Sequence, residues 1–106
     1  MSIEITDQNF EELVLKSEVP VLIDCRAEKI SASDAALTPI MESITAEFAG
    51  RAVVAHCDFD CNPGIPAQAG VRTMPMLMYF KDGKLVDKHV GSATKFILAA
   101  RLNAQL

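Results

Sequence analysis

The sequence predicts an α/β domain with a central mixed β-sheet of about five strands, flanked by about four helices. Three observations predict it. Short apolar runs of strand length alternate with segments of helical periodicity, which calls for strands paired in parallel across helical crossovers. The runs Val21-Leu22-Ile23-Asp24-Cys25 and Ala52 to Phe59 are apolar enough to be covered on both faces. A terminal Asp82-Gly83 turn between two further runs adds an antiparallel hairpin.

In chain order, Ile3-Glu4-Ile5-Thr6 alternates as a short strand, and Thr6 or Asp7 can N-cap a helix whose apolar stripe is Phe10, Leu13 and Val14. Pro20 ends that segment, and Val21 to Cys25 follows as a strand. From about Ser31 to Ala49 the period becomes helical: Leu37, Ile40, Met41, Ile44 and Phe48 recur at steps of three or four, and Gly50 is a natural stop. Pro39 lies inside this helix and predicts a kink. Along Ala52 to Phe59, Val53, Ala55, Cys57 and Phe59 share one strand face while Val54, His56 and Asp58 take the other. Asn62-Pro63-Gly64 opens a turn and a short helical piece to Ala69, closed by Gly70. Met76 to Phe80 is a strand, Lys81 to Lys84 its turn, and Leu85 to Val90 the returning strand, ended by Gly91. Thr94 caps a last helix bearing Ile97, Leu98, Leu102 and Leu106.

Composition bounds the function classes. The chain has 106 residues, 50% hydrophobic and 23% charged, with no repeat or linker, so residues 1–106 read as a single domain. Asp and Glu outnumber Lys and Arg, 14 to 10, with no basic run, which argues against a nucleic-acid partner. No apolar stretch is long enough to span a membrane and no signal peptide is visible, so the expected location is cytoplasmic. The chain is expected to be a monomer. Three cysteines, Cys25, Cys57 and Cys61, are too few for a disulfide framework, and there is no tryptophan.

The punctuation resembles the thioredoxin family over nearly the whole chain, Ile3 to Leu106. The pieces that carry the likeness are Thr6-Asp7-Gln8-Asn9-Phe10, Val19-Pro20-Val21-Leu22-Ile23-Asp24, Pro39, Asp60 with Asn62-Pro63-Gly64, Gly70 to Pro75, Phe80-Lys81-Asp82-Gly83-Lys84 and Val90-Gly91. The resemblance implies a thioredoxin fold with a cis peptide bond before Pro75. It also implies a groove in which the backbone beside that proline pairs with an extended peptide. One stretch departs from the family. Where its tryptophan and Cys-Gly-Pro-Cys motif belong, this chain has Cys25-Arg26-Ala27-Glu28-Lys29-Ile30-Ser31-Ala32-Ser33-Asp34. Counting back from Pro39 places Ser31 to Asp34 at the motif; counting forward from Asp24 shifts it by about one residue. Neither register holds a cysteine.

The chemistry of the site follows from these residues. A serine hydroxyl neither ionises near neutral pH nor exchanges with disulfides. Ser31 and Asp34 therefore read as a capping box, with an anion-binding helix start as the rival. Asp24 is by resemblance a buried carboxylate, and His56 takes the place of a lysine near it. An Asp24–His56 buried polar pair is therefore expected, structural or proton-relaying. Cys25 and Cys57 read as packing residues that share a strand face and approach one another, although a bridge between adjacent strands is expected to strain disulfide geometry. The Cys57–Cys61 spacing invites only a weak metal reading, and no metal or other cofactor is expected. Cys61, at a strand-to-helix turn, is the candidate reactive thiol.

By resemblance the groove comprises Ser31, Ala32, Ser33, Thr73, Met74, Pro75, Met76 and Gly91, with core packing the rival role for the two methionines. The functional expectation is a redox-inactive member with no catalytic residue, binding a protein or peptide partner through this groove as chaperone, assembly factor or adaptor. The alternative is a thiol–disulfide oxidoreductase of cell redox homeostasis that uses Cys61, Cys25 or glutathione. A third reading is small-ligand binding at the helix start.

Overall fold

The computed structural model describes residues 3–26, 36–58, 64–67, 70, 76–91 and 93–106. Its elements are β1 (Ile3–Glu4), α1 (Glu11–Leu15), β2 (Val21–Arg26), α2 (Leu37–Glu47), β3 (Val53–Asp58), α3 (Gly64–Ala67), β4 (Met76–Lys81), β5 (Lys84–Val90) and α4 (Lys95–Asn103). They build a five-stranded sheet in the order β1-β3-β2-β4-β5. Strands β1, β3 and β2 run parallel, while β4 is antiparallel to both β2 and β5. The mixed sheet expected from the alternation of runs is the one observed.

Strand alternation divides the core into two layers. Val21, Ile23 and Cys25 of β2 pack on one face with Ala55, Met78, Phe10 and Ile65. Leu22 faces the other way, with Leu77 and Tyr79 of β4, Ile44 of α2 and Leu98 of α4. Helices α1 and α3 therefore lie on one face of the sheet, and α2 and α4 on the other.

In the turn that leads into α1, the Thr6 N–H donates to Asn9 Oδ1 (2.7 Å) and the Asn9 N–H to Thr6 Oγ1 (3.3 Å), a reciprocal exchange of the capping-box kind, while α1 itself starts after Phe10 without a side-chain cap. The turn that follows is wide: the Lys16 N–H donates to the carbonyl of Glu11, five residues back, at 3.0 Å. Phe10 and Val14 are buried, and Phe10 meets Phe80 edge-on with ring centroids 5.4 Å apart. Leu13, expected on the same stripe, is 37% exposed, because the wider turn carries it off the buried face. Gly50 ends the α2 segment in a left-handed conformation (φ 82°), as expected of a helix stop.

The β4–β5 turn has Asp82 at φ 53° and Gly83 at φ 78°, both left-handed, which is what a two-residue hairpin loop of the favoured twist needs. A Cβ on Gly83 would also stand 3.0 Å from the carbonyl oxygen of Leu15. On α4, Thr94 Oγ1 accepts from the Ile97 N–H (3.3 Å), and Leu98 and Leu102, one turn apart, are buried. Ile97 and Leu106 were expected on the buried face. Ile97 is 40% exposed because only the Leu98–Leu102 stripe reaches the sheet, and Leu106, 48% exposed, lies beyond the end of α4 at Asn103. No helix among the described residues is long and apolar enough to cross a membrane.

Two predictions follow from this packing. Gly83→Ala is expected to cost about 1–2 kcal/mol through its left-handed backbone alone, read as a lower urea midpoint at unchanged slope. Tyr79 is the single tyrosine of a chain without tryptophan, fully buried, its hydroxyl 3.4 Å from the Leu98 carbonyl. Burial pushes its phenol up to about 12, against the lowering influence of Arg101 and with a further raise from Asp87. The unfolded chain thus ionises this phenol first, so its contribution is complete below pH 10 and is lost as pH rises toward about 12. Phenolate absorbance should show a native midpoint near the upper value, dropping toward 10 in denaturant.

Candidate functional site at the end of the central strand

Strand β2 lies between β3 and β4, and its sequence Asp24-Cys25-Arg26 sends neighbouring side chains to opposite faces. Asp24 and Arg26 share the α2 face. Asp24 is 2% exposed, and Arg26 Nη2 lies 2.8 Å from its Oδ2. Arg26 Nη1 donates to Thr38 Oγ1 at 3.1 Å, so one guanidinium joins the end of the strand to the first turn of α2. A carboxylate this deep is stable only when paired or hydrogen-bonded, and Arg26 supplies a charge partner.

His56 is the register neighbour of Asp24 on β3. Both line a cavity of about 300 Å³, together with Arg26, Thr38, Glu42 and Thr45. The structure thus brings Asp24 and His56 to one cavity, whose lining also includes the apolar Met41 and Ala55, and adds Arg26, which the sequence reading missed. The signal for Arg26 was its two-residue spacing from Asp24, which on a strand means the same face. A larger cavity of about 630 Å³ lies at the other end of α2, between Glu47, Phe48 and Arg51 and the α4 residues Lys95 and Phe96.

Cys25 faces the opposite layer. Its register neighbours are Cys57 on β3 and Met76 on β4, and both cysteines are buried free thiols. A hydrogen bond with Cys57 and then burial push the Cys25 thiol far above its ordinary range, with Cys57, Asp24 and Asp58 adding charge repulsion. Cys25 is therefore held protonated and is a poor attacking thiol at neutral pH.

Met76 is corrected from the expected groove. It is fully buried in the layer that holds Cys25, because the outward face of β4 at this position is covered rather than open. Gly91, just past β5, is left-handed (φ 94°) with nothing within 4 Å of where a Cβ would stand. The remaining expected groove residues, Ser31, Ala32, Ser33, Thr73, Met74 and Pro75, lie outside the described residues, as do Cys61 and the peptide bond before Pro75. Among the described residues no group of three or more His, Cys, Asp or Glu side chains could hold a metal ion.

The Arg26–Asp24 contact can be tested by stability. Arg26→Met, which keeps the apolar stem and removes the charge, is expected to cost about 3–5 kcal/mol in equilibrium unfolding, since the carboxylate loses a charge partner inside the protein. Adding Asp24→Asn should recover much of that loss, and two additive losses would mean that the pair is not coupled.

With this geometry in view, comparison with known proteins is informative. The family model described as Thioredoxin matches residues 1–104. The chain is 41% identical to a thioredoxin of Rickettsia bellii (strain RML369-C) over 103 residues, covering 97% of each chain. It is 42% identical to a thioredoxin of Acidithiobacillus ferridurans over 102 residues, 96% of this chain and 94% of the relative. Against a thioredoxin of Pseudomonas aeruginosa the identity is 36% over 104 residues, 98% of this chain and 95% of the other. These full-length relationships to proteins named thioredoxin overturn the expectation of a redox-inactive adaptor, which rested on a single rewritten loop. The sheet order, the match over residues 1–104 and these identities lead to one conclusion: the chain belongs to the thioredoxin family.

Proposed function

We propose that the chain is a thiol–disulfide oxidoreductase of redox homeostasis whose working thiol lies outside the family's Cys-Gly-Pro-Cys motif. The observation that carries this reading is the near full-length identity to proteins named thioredoxin. At the place of the motif the sequence has Ser31-Ala32-Ser33-Asp34, and its cysteines are Cys25, Cys57 and Cys61. Exchange requires a thiolate that attacks a disulfide sulfur and a second thiol that resolves the mixed disulfide. The strongly raised thiol of Cys25 argues against it as the attacker. Cys61, in the stretch that links β3 to α3, is the attacking thiol in this reading. Its thiolate displaces one thiolate from the substrate and forms a mixed disulfide; glutathione then attacks the Cys61 sulfur and releases the second substrate thiol, and a second glutathione attacks the sulfur of the first, which frees the Cys61 thiolate and leaves oxidised glutathione.

The backbone at Thr73, Met74 and Pro75 would hold the substrate as an extended segment, with Met74 offering adaptable apolar surface. The test is reduction of a protein disulfide with glutathione as the electron source. Cys61→Ser is expected to lower the rate at least tenfold, while Met74→Asp should raise KM with little change in kcat. An undiminished rate in Cys61→Ser rules out Cys61, and an undiminished rate in a chain with all three cysteines replaced rules out the oxidoreductase itself.

A further inference from the structure

Among the described residues, the feature that the proposed chemistry leaves unused is the pair Cys25 and Cys57. These residues stand directly opposite one another on neighbouring parallel strands, β2 and β3. Both side chains belong to the same buried layer, so they point to the same side of the sheet. Adjacent strands run roughly 4.8 Å apart, inside the span of about 4.4–6.8 Å between Cα atoms that a disulfide bridges. The expectation that a bridge here would be strained therefore does not extend to the distance between the two backbones. Each cysteine is the penultimate residue of its strand, β2 ending at Arg26 and β3 at Asp58. Strand ends open more readily than strand centres, which gives a small reagent access to thiols that are otherwise buried.

We propose that Cys25 and Cys57 form a dithiol modification site that a peroxide closes to an intramolecular disulfide, tying β2 to β3 beside Asp24 and Arg26. The steps balance. The Cys57 thiolate attacks hydrogen peroxide, the O–O bond breaks, and with one proton taken up the products are Cys57 sulfenic acid and water. The Cys25 sulfur then attacks the Cys57 sulfur, the S–O bond breaks, and the departing hydroxide takes the Cys25 proton to leave as a second water. Two thiols are oxidised by two electrons and one peroxide is reduced to two waters. The balance is the same with the two sulfurs exchanged, so the site does not depend on which of them meets the peroxide first. The site is separate from turnover on Cys61, since a chain inactive toward protein disulfides would still close this bond.

The experiment treats the full chain and its Cys61→Ala variant with hydrogen peroxide, then denatures, alkylates and maps the cysteine peptides by mass. In the variant, alkylated thiols should fall together from two to none, with a linked Cys25–Cys57 peptide that a dithiol reductant reverses. The wild-type chain, with three cysteines, should give the same linked Cys25–Cys57 peptide whatever the oxidation state of Cys61, and guards against misfolding of the variant. Adding Cys25→Ala should leave Cys57 as a sulfenic acid trapped by a dimedone probe, with no linked peptide. Two thiols that stay alkylable, a Cys57–Cys61 link in the wild type, or conversion to sulfinic acid without the Cys25–Cys57 peptide would each overturn the proposal.

Discussion

The register of β2 is the constraint on which the rest of the structure depends. This strand pairs with β3 on one side and β4 on the other, and both of its faces are covered by core. A slip of one residue would exchange the faces of every side chain, placing Asp24 among Ile65 and Met78 and Cys25 against α2. Pairing on both edges and burial on both faces make that slip costly. The strand therefore arrives at its C-terminal end with a fixed assignment: carboxylate and guanidinium toward α2, thiol toward the opposite layer.

That assignment separates two kinds of chemistry that lie one residue apart. The α2 face at the strand end is hollow, a cavity lined by the ionisable Asp24, Arg26 and His56 together with Met41 and Ala55. The opposite face is close-packed, with Cys25 flanked by Cys57 and Met76. Arg26 couples this end of the sheet to Thr38 at the beginning of α2. Strand and helix are thus joined at the polar end of their contact, while Ile44 and Phe48 hold the apolar remainder.

The fold was legible in the sequence because its signals are local and physical. Apolar runs with strand spacing, the Asp82-Gly83 pair and the stop at Gly50 each specify a backbone conformation that few alternatives satisfy. What was misread depended on three-dimensional detail. Leu13 fits an apolar stripe until the turn widens, and Ile97 fits one until the narrowness of the α4 contact is known. Arg26 was overlooked because a cation after an apolar run looks like a strand end facing solvent, whereas here it reaches back to the buried Asp24. The functional misreading had a different origin: one departing loop was given more weight than a relationship that extends over nearly the full chain.

The cysteines show why position in the sheet, rather than number, decides what a thiol can do. Burial between strands removes the solvent that stabilises a thiolate, and a neighbouring thiol that shares its hydrogen bond favours the protonated form further. The same strand register that buries Cys25 places it opposite a second cysteine in the same buried layer. The family's usual motif unites two properties, attack and pairing, at one helix start. Under the readings proposed above, the two properties would fall at separate places, attack at Cys61 and pairing at Cys25 and Cys57.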